Sequence, residues 1–390
     1  MSDRGRSVDS KTKSRVSILT KRPIQVFVHL AYGFGVQSWE RRWNDGKILG
    51  LNEPKPYGYY RAETMGCSVT YSEHREESLA GKLLRLVLRV LLGFDLVHAW
   101  RNFDTMKDAD VVWTHTESQF LAILMLFYLK RNVRRPKLIA QSVWLFDHWH
   151  RFAAPRRWLF SSLIRQADIL TVLSPTNLAV AKRLFPKIRS ELVLFGIAAD
   201  TKVEPAFRPV KGTLNVISLG NDVHRDWDLL IEAMASEPDW NLKIASQKVK
   251  PSSIAHARNI EVTSLRTNDE LFALYRWADL LVLAIKPNLH ASGITVLEEA
   301  ALLGVPIICS DAGGLRAYFS DPEIRFVPPQ DITALKAAIR QLAADPSARL
   351  ALAEKAQARM GPSGLSSESY VRRHVEISRD LLGRAQERDP

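Results

Sequence analysis

The residues best placed to do chemistry lie between His290 and Leu315, which read HASGITVLEEAALLGVPIICSDAGGL. Ser292 and Gly293 stand directly before Ile294 and Thr295, where a helix is expected to begin. A helix N-terminus presents unpaired N–H groups at the positive end of its dipole, so it is a ready seat for a phosphate. Glycine at 293 would let such a ligand approach the backbone. Glu299 follows Thr295 by one turn, and a carboxylate there could accept two hydrogen bonds from a ribose diol. Gly304-Val305-Pro306 would end the helix and lead into a strand. A generic helix–strand unit with solvated Glu298 and Glu299 has the same pattern, so these residues alone leave the choice open.

The elements that must position them follow an alternating rhythm. Ile24 to Leu30 (IQVFVHL) is β-rich and runs into a loop carrying Gly33 and Gly35. Val111–Thr114, Lys137–Ala140, Ile169–Leu173 and Leu192–Phe195 are further strand candidates, with helical stretches between them. Ser174-Pro175-Thr176 is a helix start with proline in the first turn. Gly196 to Gly212 has little periodicity and two prolines, as a linker would. The rhythm then restarts, with Leu214–Leu219 ending at Gly220 and strands expected at Leu242–Ala245, Asn259–Val262, Leu280–Leu283, Val305–Cys309 and Ile324–Val327. Helices are expected at Trp227–Met234, Asp269–Trp277, Thr295–Leu303 and Ile332–Ala344. Alternating strands and helices predict parallel α/β sheets, here in two lobes of similar size.

Taken together, Ser292-Gly293, Ile294 to Leu297, Glu299-Ala300, Gly304-Val305-Pro306, Ile307 to Cys309 and Gly313-Gly314 closely resemble the donor-site signature of glycosyltransferase family 4, the "group 1" enzymes of the bacterial GT-B type. Leu219-Gly220, Arg225 and Leu230-Ile231-Glu232-Ala233 resemble the same family's strand, loop and helix, and Asn268 to Leu283 its helix and strand ahead of the donor site. The resemblance covers most of residues 213 to 345. It implies a GT-B fold of two Rossmann-like domains facing across a cleft. It also implies transfer of a sugar from a nucleotide-diphosphate donor to an acceptor hydroxyl, with retention at the anomeric carbon and no cofactor or metal. On this reading Gly35, Gly220, Arg225, Ser292, Gly293, Ile294, Thr295 and Glu299 would bind the donor, with Arg225 on the diphosphate. The first of the two glutamates common in the family is replaced by Ala291, and Asn221 stands where an arginine is common. The family's first-domain histidine falls at Val143, which leaves Asp147 and His148, with His150, as the candidate catalytic groups, or as ordinary polar loop residues.

The expected layout is a disordered basic tail over residues 1–22, an acceptor lobe over 23–200, a linker over 201–212 and a donor lobe over 213–362. A final stretch over 363–390 should send a helix, Glu368 to Arg384, back onto the first lobe.

Composition bounds the partners. The chain has 390 residues, 46% hydrophobic and 25% charged, which is globular rather than disordered. Its formal charge is +12, which calls for an anionic partner. Cys67 and Cys309 are too few for a disulfide framework or a cysteine zinc site, so a reducing cytoplasm is expected. No secretory leader is evident, and no run approaches the roughly 20 apolar residues that span a bilayer. Leu79 to Phe94 (LAGKLLRLVLRVLLGF) reads instead as an interfacial helix. Its apolar side would enter lipid, while Lys82, Arg85 and Arg89, on one face, would meet anionic headgroups. The alternative is a core helix with a solvated basic edge. Nearby Trp149, Phe152, Trp158 and Phe160 interleave with Arg151, Arg156 and Arg157, which suits a membrane interface; no nucleic-acid motif accompanies them.

These features point to a peripheral enzyme on the inner face of the plasma membrane. Its acceptor would be a lipid-linked oligosaccharide or lipopolysaccharide, in surface-polysaccharide (exopolysaccharide) synthesis. Competing readings are an inverting GT-B transferase with an Asp or His base, or a non-catalytic binder of nucleotide sugars or nucleic acid. A dinucleotide dehydrogenase is disfavoured, because Gly33 and Gly35 lack the third glycine of Gly-x-Gly-x-x-Gly.

Overall fold

The structure, a computed structural model, describes residues 22–386. The expected basic tail, up to residue 21, lies outside the described residues. Two six-stranded sheets, parallel throughout, form the two lobes. The first contains β1 (Ile24–His29), β2 (Cys67–Tyr71), β3 (Val111–Thr114), β4 (Lys137–Ser142), β5 (Ile169–Val172) and β6 (Ser190–Leu192), in the order β2-β1-β3-β4-β5-β6. The second contains β7 (Leu214–Leu219), β8 (Trp240–Ala245), β9 (Ile260–Thr263), β10 (Leu280–Leu283), β11 (Ile307–Ser310) and β12 (Arg325–Val327), in the order β12-β11-β10-β7-β8-β9.

Helices cover both faces of each sheet, so the central strands are apolar along their length; all four residues of β3, β5, β10 and β11 are buried. Strand alternation distributes them between layers. Val26 and Val28 of β1 join a core shared with the second lobe, while Phe27 packs into a separate first-lobe core with Phe120 and Leu138. In each sheet the strand order reverses once, at β1/β3 and at β7/β10. The loops leaving the carboxyl ends of those strands diverge there and leave a crevice, the usual ligand position in such sheets.

The long C-terminal helix, Ser367–Gln386, packs against the first lobe. Trp113 Nε1 donates to Ser378 Oγ (2.9 Å) and Tyr370 OH donates to Gln141 Oε1 (2.6 Å). No described helix is long and apolar enough to cross a membrane.

The helix Leu79–Leu92 forms where the sequence predicts, with Arg85 turned inward. Arg85 is buried, with Nε on Glu77 (2.9 Å), Nη1 on Asp95 (2.9 Å) and its guanidinium 3.8 Å above the Tyr32 ring. Arg89 lines the cleft between the lobes. The outward face is largely apolar, with Leu79 88% exposed, Leu83 64%, Val90 74% and Leu91 67%. Of the three cations expected to share the outward face, Arg85 is turned inward, while Lys82 and Arg89 are exposed. Two acids flanking the helix in sequence pull Arg85 inward, and that rotation turns the leucines out.

Candidate active site

A cleft of about 660 Å³ opens between the lobes where the two strand-order reversals face each other. From the first lobe come the loop after β1 (Ala31, Tyr32, Phe34) and residues after β3 (His115 to Gln119); from the second come Asp222 and the loop His290 to Thr295.

Arg225 is built into the second wall. Its backbone bridges to Ile285, Nε donates to the Leu219 carbonyl (3.0 Å) and Nη1 donates to Ser292 Oγ (3.1 Å). The guanidinium lies between two glycines. A Cβ at Gly220 would sit 2.7 Å from Nη2, and one at Gly293 2.8 Å from Nη1, so any side chain at either position would displace it. The residue is only 4% exposed, and burial lowers its pKa. Among the described residues no carboxylate forms an ion pair with it. Directly beside it starts the helix Ile294–Leu302. Its N-cap is Gly293, at φ +97°, and no side chain caps it; the Ile294 N–H turns back to the Ala291 carbonyl (3.4 Å), which leaves the amides of Thr295 and Val296 for a ligand. Thr295 is exposed at this end while Ile294 is buried. A buried cation and a bare helix N-terminus at one spot make a strong anion site.

Next to it runs a chain of charged groups linking the lobes. Asp147 accepts from the Leu289 N–H (2.8 Å), and its Oδ2 lies 3.2 Å from His290 Nδ1. His290 Nε2 meets Asp222 Oδ2 at 3.1 Å, and Asp222 Oδ1 meets His224 Nδ1 at 3.1 Å. Burial of His290 works against its charge, but the two carboxylates outweigh it and raise the imidazole to about 9. Burial pushes Asp222 up, yet its bonds from His290 and the His224 backbone hold it well below the usual carboxylate range. Asp222, His224 and His290 have ligand atoms within 4.8 Å of one another, a set able to take a divalent ion; here they satisfy each other.

The remaining predicted residues are placed as follows. Asp147 and His148 do not line the cleft. His148 sits half-buried on the short helix Leu145–His148 with its pKa lowered by burial. Gly35 N-caps the helix Val36–Asn44, and the space of its missing side chain is filled by Glu73 Oε2 and the Ser72 carbonyl, each 2.5 Å from where a Cβ would lie. It therefore approaches the end of β2, not the cleft. Glu298 and Glu299 are buried, which removes the solvated alternative. Neither oxygen of Glu298 has a hydrogen-bond partner, and burial raises its pKa well above the carboxylate range. Glu299 accepts from the Leu51 N–H (3.2 Å) and from Tyr275 OH (3.1 Å), and burial pushes it up to about 7.

Sequence reasoning missed Asp222, His290 and Glu117. The last is a half-buried cleft carboxylate that accepts from the Val143 N–H (3.0 Å) and whose pKa is raised by desolvation. Its signal was available: it starts the helix that follows β3, the position in the first lobe equivalent to a loop at the carboxyl edge of the sheet.

The class is set first by the fold. The structure superposes on sucrose-phosphate synthase from Thermosynechococcus elongatus with a TM-score of 0.69 at 16% identity, over 92% of this chain and 99% of that one. It matches Anabaena HepE in complex with UDP and glucose at 0.61 and 15% identity (90% and 98% covered). It also matches a glycosyltransferase from Rickettsia africae at 0.59 and 12% identity (92% and 99% covered). The architecture is GT-B. Residues 204–359 match the family described as glycosyl transferases group 1, so the second lobe carries a group 1 glycosyltransferase domain. No curated protein sequence matches it significantly.

Proposed function

We propose that this enzyme moves a sugar from a nucleotide-diphosphate sugar to a membrane-held acceptor, with retention at the anomeric carbon, in the synthesis of a bacterial surface polysaccharide. The donor reading is carried by one observation: the unpaired Arg225 guanidinium clamped behind Ser292 and Gly293 at an uncapped helix N-terminus. The complexes of Anabaena HepE with UDP and with UDP-glucose lend it support. The bond from the anomeric carbon to the diphosphate breaks as the acceptor hydroxyl adds on the same face and passes its proton to the departing diphosphate oxygen, on which negative charge collects as the bond breaks. Fixed donors aimed at that charge lower the barrier without reorganising. The amides of Thr295 and Val296, Arg225 and the cationic His290 supply them, and Glu299 takes the pentose. Asp147 positions His290 rather than touching the substrate.

We take residues 23–200 as the acceptor lobe, 213–362 as the donor lobe and 363–390 as the return to the first. The acceptor reading rests on the outward face of the helix Leu79–Leu92. Soluble proteins rarely expose so contiguous an apolar surface without a partner. Exposed Trp100 and Trp158 flank it, with Arg156 bonded to the Val90 and Leu91 carbonyls, an arrangement suited to an anionic bilayer. Because Arg89 on the same helix lines the cleft, an acceptor anchored in that bilayer would reach the donor directly.

The test is a panel of UDP-, GDP- and ADP-sugars read by thermal stabilisation. One donor should raise the unfolding temperature clearly, and Glu299→Ala should abolish the shift. Absence of any shift across the panel would refute the donor assignment.

A further inference from the structure

A segment of the first lobe is seated on the carboxylate assigned to the donor's pentose. Between the helix Val36–Asn44 and Glu53 the chain crosses to the second lobe and docks there. Gly50 N–H donates to Asn268 Oδ1 (2.9 Å), Asn268 Nδ2 donates to the Ile48 carbonyl (3.2 Å) and Leu51 N–H donates to Glu299 Oε1 (3.2 Å). The other carboxylate oxygen is taken by Tyr275 OH. Ile48 and Leu51 are buried, Leu51 in the core that holds Leu271, Leu274 and Leu297 of the second lobe. The approach is close: a Cβ at Gly50 would lie 2.1 Å from Glu299 Oε1. With the Gly50–Leu51 backbone seated against that oxygen, a pentose diol has no room to reach it.

We propose that residues 48–52 are a plug in the pentose end of the donor site, and that the nucleotide enters by displacing them; this rests on the assignment of Glu299 to the pentose. The segment is built to move as a short unit. On one side Lys47 N–H is fixed to the Arg42 carbonyl (2.7 Å). On the other, the Glu53 carbonyl accepts from Trp39 Nε1 (2.9 Å), and its side chain pairs with Arg61. Gly46, at φ +66° with open space around it, and Gly50, at φ +97°, give the stretch backbone freedom. What the plug provides to Glu299 is one N–H donor, which a ribose hydroxyl replaces in kind. Donor affinity is then reduced by the fraction of molecules that are plugged.

Gly50→Ala tests this. A methyl there meets Glu299 Oε1, and the left-handed φ is strained for alanine, so the plug cannot seat. In titration calorimetry with UDP-, GDP- and ADP-glucose, the nucleotide sugar that binds the unaltered enzyme should bind this variant about tenfold more tightly. A second variant, Ile48→Ser with Leu51→Ser, should do the same by removing the buried anchors. On the unaltered enzyme, hydrogen exchange with the same nucleotide sugar at saturation should speed up at residues 48–52 and slow at 295 and 296. Equal affinity in all three proteins, with exchange at 48–52 unchanged or slowed, would overturn the plug and leave the donor assignment standing. Failure of every nucleotide sugar to bind any of the three would remove both.

Discussion

Replacing His290 with glutamine should erase a specific pH dependence of stability. In the folded enzyme the imidazole lies 3.2 Å from Asp147 of the first lobe and 3.1 Å from Asp222 of the second. Burial disfavours its charge, but the two carboxylates prevail and raise its pKa from 6.5 to about 9. A histidine whose folded pKa lies above its unfolded value contributes its stabilisation in full below the unfolded pKa. That contribution is lost as pH climbs through the folded pKa. The window is therefore pH 6.5 to about 9. At 1.36 kcal/mol per unit, it amounts to about 3 kcal/mol. Urea unfolding at pH 6 and at pH 9.5 measures it. The unaltered enzyme should lose about 3 kcal/mol more than His290→Gln between the two. Glutamine keeps a donor for one carboxylate but has no proton to lose in this range. Parallel losses in the two proteins would show that His290 is not a charged link between the lobes.

Arg225→Met should weaken nucleotide-sugar binding by about 2–3 kcal/mol, roughly 30- to 150-fold by calorimetry, because a charge-assisted partner of the diphosphate is gone. Its unfolding temperature should stay level or rise, since an unpaired buried charge is removed. Glu299→Gln should flatten a second pH dependence. The Glu299 pKa, raised by burial to about 7, gives a contribution present below pH 4.5 and lost as pH rises through 7, so the unaltered enzyme should lose about 3 kcal/mol over that range relative to the variant in urea unfolding. Leu83→Ser with Leu91→Ser should cut flotation with anionic vesicles by more than about a hundredfold, since each buried leucine contributes about 2 kcal/mol. The unfolding temperature should hold, because both side chains already face water. Equal flotation would exclude this helix as the membrane contact.

What the sequence revealed was local. The helix Ile332–Ala344 falls where its periodicity predicts, capped by Asp331 Oδ1 on the Ala334 N–H, and the Ile294–Leu302 helix begins at the glycine that no other residue could replace. Strand β2 went unread because it is an edge strand, half-exposed and carrying serine and threonine, with no apolar run to mark it. For the helix Leu79–Leu92 the amphipathic pattern was legible but the inward turn of Arg85 was not. Orientation depends on Glu77 and Asp95 drawing Arg85 inward, and a hydropathy pattern does not weigh ion pairs. The site's decisive contacts were out of reach altogether. Asp147 finds the Leu289 N–H 142 residues away and Leu51 finds Glu299 across 248, pairings that only the docking of the two lobes creates.

The most direct measurement is a crystal structure of the enzyme with a bound nucleotide sugar. The account predicts diphosphate oxygens on the amides of residues 295 and 296 beside Arg225, the ribose hydroxyls on the Glu299 carboxylate, and residues 48–52 withdrawn from it. A nucleotide bound elsewhere, with Leu51 still on Glu299 and no phosphate at that helix N-terminus, would contradict it.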